Sequence, residues 1–302
     1  MTHTRREFLA ASLATGAALA LQPAAKAAAA SSPPVCAFSK HLQFIEDYAE
    51  LARAAKDLGL DGLDLTVRPG GHVLPENVAT DLPRAVEAIR AEGLDVPMIT
   101  TRLNDAADPE ARPILQAASA LGIKYVRVGG LSYSDDGVIL SELDGFTEQM
   151  RALTSLLEEF DMTAGYHNHS GGTNVGAVLW DLHEVIRAVN SDHFGSNFDI
   201  GHAAVEGAYA AWRINTRLLA PYVKMMAVKD FVWDGDRPRW VPLGEGVVQT
   251  VEFLKILRAA DFAGPVSIHF EYKTESEDVL LEHIGAATTL MRENLRDAGF
   301  GS

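Results

Sequence analysis

Thr163-Ala164-Gly165-Tyr166-His167, Gly195-Ser196-Asn197-Phe198-Asp199 and Lys224-Met225-Met226-Ala227-Val228-Lys229 are short β-rich runs, and each ends on a side chain that can ionise or coordinate. The intervals between them are long enough for one amphipathic helix and two loops, which is the grammar of parallel strands joined by helical crossovers. Five more runs extend the pattern outward: Val35–Ser39, Gly62–Val67, Val96–Thr101, Tyr125–Gly129 and Val266–Phe270. Successive starts lie 27 to 42 residues apart. Eight repeats of strand and helix predict a closed (β/α)8 TIM barrel, and none of them opens on a Gly-x-Gly-x-x-Gly loop or a phosphate-loop lysine. No nucleotide cofactor is therefore expected.

The intervals carry helix punctuation. Phe44 to Leu58 aligns Phe44, Tyr48, Leu51, Ala52 and Ala55 on one face and stops at Gly59. A second helix is predicted to open after Asp81, with Pro83 in its first turn and a stop at Gly93. Leu115 to Leu121, ending at Gly122, and Phe146 to Phe160 repeat the scheme.

Composition bounds the function. The chain has 302 residues, of which 47% are apolar and 22% charged, enough to bury a sizeable core. Its net charge is −15, and residues 31–302 alone carry 23 basic against 40 acidic side chains. Such a surface repels phosphate backbones and anionic lipid, so neither nucleic acid nor a membrane is an expected partner. Cys36 is the one cysteine, which excludes an intrachain disulfide. Arg5-Arg6-Glu7-Phe8-Leu9, the mild apolar run Ala10 to Leu21 and the small residues Ala24 to Ala30 read as a twin-arginine export signal over residues 1–30. The apolar run is too short to span a bilayer. The expectation is an exported, periplasmic protein handled by the twin-arginine machinery, with 31–302 as a single barrel domain.

In a barrel the reactive groups gather where the strands end. Those positions hold His41, Arg68 and His72, Arg127, His167 and His169, Asp199 and His202, Lys229, and His269 with Glu271. A lysine closing the apolar run Met225–Val228 is costly to desolvate without purpose. Asp199 and His202 are spaced to aim at one point from a loop. Arg68, His72 and Arg127 are expected to bind substrate. Each also has a plainer reading, as a hydrogen-bonded core histidine or a structural ion-pair partner.

Gly165-Tyr166-His167-Asn168-His169, Asn197–Ala203, Val228-Lys229-Asp230, Pro242-Leu243-Gly244-Glu245-Gly246 and Ile268–Tyr272 together resemble the xylose isomerase-like TIM barrel superfamily, over about residues 35–295. That superfamily includes sugar isomerases and epimerases, inosose dehydratase and an endonuclease IV branch. The resemblance implies a divalent ion held by Glu, Asp, His and Glu at strands five to eight, which here match His167, Asp199, Ala227 and Glu271. Ala227 has no donor. A site of His167, Asp199 and Glu271, completed by His169 or His202, suits Mn²⁺, Co²⁺ or Zn²⁺ better than Mg²⁺; without a metal, Lys229 would supply the positive charge.

The resemblance implies proton abstraction beside the carbonyl of a sugar or keto-sugar, through an enediolate, with Lys229, Glu271, His169 and His202 as catalytic residues and a small carbohydrate as substrate. A periplasmic keto-glycoside lyase or hydratase is the variant reading. A sugar-binding barrel without catalysis is the alternative that Ala227 favours. Phosphodiester cleavage is disfavoured by the acidic charge. Barrels of this family frequently pair, so a homo-oligomer is also expected.

Overall fold

The computed structural model describes residues 32–301, so the export segment expected over 1–30 lies outside the described residues. Eight parallel strands close into a barrel: β1 (Val35–Phe38), β2 (Gly62–Thr66), β3 (Asp95–Thr100), β4 (Tyr125–Val128), β5 (Thr163–His167), β6 (Phe194–Asp199), β7 (Val223–Val228) and, after an intervening hairpin, β10 (Val266–Ile268). Their spatial order follows the chain, and β1 pairing with β10 closes the ring through Val35↔Val266 and Ala37↔Ile268. The (β/α)8 expectation is met. β1, β2, β6 and β10 are buried at every position, as strands enclosed by helices on one side and a filled barrel on the other must be. Among the described residues no helix is long and apolar enough to cross a membrane.

The strand ends were legible to within a residue or so; the helix starts were less so. The first helix begins at Tyr48 rather than Phe44, because Asp47 caps it, accepting from the Ala49 and Glu50 N–H groups at 3.0 Å. The second opens at Val78, before Asp81, since a 3₁₀ turn over Pro75–Asn77 leads into it and buried Val78 and Leu82 belong to its inner face; Pro83 therefore sits inside the helix. The next two run Ala111–Ala120 and Ile139–Glu159, each longer at its start than expected. The stops fall as read, with Gly59, Gly93 and Gly122 at φ 74°, 79° and 77°.

Two features of the connections shape the barrel mouth. The crossover after β6 is broken into Ile200–Glu206 and Ala211–Leu219, with Tyr209 and Ala210 both left-handed between them. After β7 the chain makes an antiparallel hairpin outside the barrel, β8 (Asp230–Asp234) and β9 (Arg237–Val241), before the helix Thr250–Ala259.

Candidate active site

His167 and Asp199 close β5 and β6, and Lys229 and His269 directly follow β7 and β10, so all four are buried where the strands end. Packing beneath them is close: a Cβ on Gly165 would collide with the Met225 side chain, so the glycine makes room for Met225 to fill the barrel under the site. Ala227 is fully buried in β7, paired with Asp199 on one side and Ser267 on the other.

Lys229 is the centre of the arrangement. Only 2% exposed, its Nζ lies 3.2 Å from Asp199 Oδ2, 3.5 Å from Glu271 Oε1 and 4.6 Å from the centre of the Trp240 ring, which the hairpin brings over it. Nζ also meets His202 Nε2 at 2.6 Å. An ammonium can only donate, so Nε2 accepts; Nδ1 then carries the proton and donates to Ser170 Oγ at 2.8 Å. This fixes His202 as the neutral Nδ1–H tautomer, in line with the strong lowering of its pKa by burial and by Lys229. Gly201 gives the lysine its passage, since a Cβ there would stand 2.6 Å from Lys229 Cγ.

Asp199 is held from its backbone. Asn168 Oδ1 accepts from the Asp199 N–H at 2.8 Å while Asn168 Nδ2 donates to the Asp199 carbonyl at 3.0 Å, and Asp199 Oδ1 caps the following helix at the His202 N–H, 2.9 Å. Oδ2 faces the interior, 3.5 Å from His167 Nε2. One ligand atom each of His167, Asp199 and His269 lies within 4.8 Å of the others, a grouping able to hold a metal ion. Burial holds both imidazoles well below the usual histidine range, with the Arg127 charge the next cause for each, so they present neutral lone pairs. His167 Nδ1 and His269 Nε2 are buried without a hydrogen-bond partner among the described residues, and Asp199 Oδ2 has beside it the Lys229 ammonium and His167 Nε2. Unpartnered buried polar atoms of this kind are costly. The donor set fits a divalent ion, and two imidazoles with one carboxylate suit a transition metal better than Mg²⁺.

The residues singled out from sequence are placed as follows. Lys229, Asp199, His202 and Glu271 come together directly. His167 joins them from β5. Glu271, with 31% of its side chain exposed, stands on the solvent side beside Lys229, whereas His269, two residues earlier, is the member of that segment within the three-residue grouping. His169 is exposed, its ring 3.8 Å from that of His202. Arg127 reaches in from β4, burial lowering its pKa, and its guanidinium lies 5.3 Å from the Phe38 ring centre. Arg68 lies over the same ring at 5.2 Å.

His72 is set apart. Its Nδ1 meets Ser39 Oγ at 3.2 Å and Thr66 Oγ1 at 3.3 Å, and Nε2 meets the Leu42 carbonyl at 3.3 Å, so both ring nitrogens are committed to joining the first two strand ends. His41 is similarly placed: its Nε2 accepts the Phe270 N–H at 3.0 Å, and burial lowers its pKa to about 4.

Several contributors were not singled out beforehand. Asn168 and Ser170 act through backbone and tautomer, which no spacing reveals. Trp240 depends on the hairpin. Asp230 accepts four backbone N–H groups, those of Phe231, Gly244, Gly246 and Val248, at 2.9 to 3.0 Å, and so ties down the Pro242–Gly246 loop. A Cβ on Gly246 would collide with that carboxylate.

The architecture is shared with solved barrels. The 3-keto-D-glucoside 4-epimerase of E. coli aligns over 85% of this chain and 99% of its own at 14% identity, TM-score 0.66. D-Psicose 3-epimerase from Clostridium cellulolyticum H10, solved with D-tagatose, aligns over 87% and 99% at 12% identity, TM-score 0.69. A xylose isomerase-like barrel protein from Mycobacterium smegmatis, in complex with magnesium, aligns over 87% and 98% at 18% identity, TM-score 0.67. At these identities the likeness establishes the fold. A search of curated protein sequences returns no match. The family model for the xylose isomerase-like TIM barrel matches residues 52–294, and the chain belongs to that family.

Proposed function

We propose that this protein is a sugar isomerase or epimerase that abstracts the proton beside a carbonyl of a sugar or keto-sugar. The observation that carries the reading is the pair of carboxylates, Asp199 and Glu271, at 3.2 and 3.5 Å from the buried Lys229 ammonium. Glu271 is the solvent-side carboxylate and takes the proton. The C–H electron pair becomes the enediolate double bond, and Lys229 donates a hydrogen bond to the developing oxyanion. His202 and Ser170 orient that ammonium, and Trp240 shields it from water. His167, Asp199 and His269 would hold a divalent ion, which when bound supplies Lewis-acid polarisation of the carbonyl. Protonation from the opposite face, by an acid other than Glu271, gives an epimer; return of the proton from Glu271 to the neighbouring carbon gives an isomer.

Loss of a β-substituent from the same enediolate would make the enzyme a lyase. A keto-glycoside substrate for it is supported by the 3-keto-D-glucoside named for one structural relative. An exported enzyme would meet such glycosides outside the cytoplasm. Incubation with keto-sugars in D₂O tests the core reading. Wild-type protein should place deuterium on the carbon beside the carbonyl, and Glu271→Gln should abolish that uptake while the fold is retained. Undiminished uptake by the variant would remove Glu271 from the role. Binding without exchange by the wild-type protein would favour a sugar-binding barrel.

A further inference from the structure

Two guanidinium groups meet on one side of the barrel mouth, with a third arginine in the neighbouring segment. Arg68 follows β2, Arg102 follows β3 and Arg127 lies in β4. Arg68 and Arg127 share the Phe38 ring, at 5.2 and 5.3 Å from its centre. The Arg102 segment is drawn in beside them because Gly129 has no side chain: a Cβ there would stand 2.5 Å from the Arg102 carbonyl oxygen. On a chain with 41 acidic residues, none of the three arginines forms an ion pair or a side-chain hydrogen bond among the described residues. Arg127 Nη1 is buried and unpartnered.

Asp64, Asp199 and Glu271 lend Arg127 counter-charge across the barrel but no hydrogen bond, because their oxygens are turned to other partners. Asp64 accepts from Thr100 Oγ1 at 2.7 Å and Ser267 Oγ at 2.8 Å, and Asp199 and Glu271 face Lys229. A desolvated guanidinium with an unfilled N–H donor is expensive, and its planar fork matches an oxyanion at two points. A positive mouth on an acidic protein also concentrates anions locally.

We infer that the substrate is an anionic sugar, whose negatively charged oxygen group is received by Arg127 and Arg68 over the Phe38 ring. The inference rests on the reading of this mouth as a sugar site and adds the substrate class: a sugar acid or a sugar phosphate rather than a neutral sugar. Both sources offer the same chemistry to the arginines.

Calorimetric titration of the full protein with D-glucuronate, D-glucose 6-phosphate and D-glucose at low ionic strength tests this without turnover, so a failed deuterium-exchange experiment would not bear on it. One of the two anions should bind at least about tenfold tighter than glucose, and which one identifies the source. Arg68→Met and Arg127→Lys should each shrink the preference several-fold. Arg84→Met, on the outer helix where Arg84 pairs with Asp81 at 3.4 Å, should leave it intact. Melting curves of each variant separate loss of recognition from loss of fold. Equal affinity for all three sugars, or a preference that survives both Arg68→Met and Arg127→Lys in folded protein, would overturn the inference.

Discussion

Lowering the pH should loosen this barrel well before its carboxylates begin to titrate. His41, His167, His202 and His269 are all kept neutral by burial, His41 with a pKa near 4 against an ordinary value of 6.5 and the others held well below that ordinary value. In the unfolded chain each takes up a proton near 6.5, so between that value and the folded pKa the unfolded state binds more protons and stability falls as pH falls. A histidine that stays neutral in the fold at about pH 5 forfeits about 2 kcal/mol relative to about pH 7.5. Four of them set a ceiling of about 8 kcal/mol, comparable to the whole stability of a typical domain. Water entering the mouth lowers that figure; half of it still corresponds to a fall in melting temperature of about 10 °C for a chain of this length. The exposed carboxylates with lowered pKa, such as Glu92 and Glu159, add losses only at lower pH. Thermal melts of chelator-washed protein at the two pH values read the effect directly. His41→Gln, which keeps an acceptor for the Phe270 N–H but does not titrate, should reduce the pH dependence by about a quarter. Equal melting temperatures at both pH values, or an unchanged slope in His41→Gln, would refute the argument that these imidazoles are held neutral.

Two further outcomes follow from the geometry around Lys229. Asp230→Ala strands four backbone N–H groups and should cost about 3–5 kcal/mol in a urea titration, with Asp230→Asn intermediate; a loss below about 1 kcal/mol would show that the Pro242–Gly246 loop is held by other contacts. Lys229→Met removes a positive charge 3.2 Å from Asp199 Oδ2 and should raise Zn²⁺ or Co²⁺ affinity at least about tenfold in a chelator competition, whereas weaker binding would mean that the lysine does not oppose the ion.

The barrel was readable because its strands are mostly buried and end abruptly in polar groups, so apolar runs such as Met225–Val228 mark both position and limit. The hairpin was not. Asp230–Val241 carries Asp234, Asp236, Arg237 and Arg239 beside Trp233 and Trp240, and only the tertiary placement over Lys229 gives Trp240 a reason to be there. Convergence of Asp199, His202, Lys229 and Glu271 followed from the rule that strand ends meet. Which polar group serves as a fastener did not: His72 and Asp230 resemble site residues in sequence, yet their hydrogen bonds secure loops. His269 and Glu271 share a strand face by period two, but β10 ends at Ile268, and past that point alternation no longer decides depth.

The charges at the strand ends tie the two proposals together. With the imidazoles neutral, Asp64, Asp199 and Glu271 balance Lys229, Arg127 and Arg68, while Arg102 adds positive charge beside them. The pattern implied by the family resemblance, with two glutamates and an aspartate, would instead bring three negative charges to a divalent ion. Replacing one of those glutamates by His167 removes a negative charge, and Lys229 contributes a positive one. A divalent ion at His167, Asp199 and His269 would therefore enter a site that is already neutral, and an anionic sugar passing to its enediolate would return two negative charges to it. Metal and substrate each relieve the excess the other creates or meets, so their affinities rise together, and by linkage the coupling is the same from either side. Within this charge distribution, Ala227 fits a site in which part of the compensation comes from the ligand.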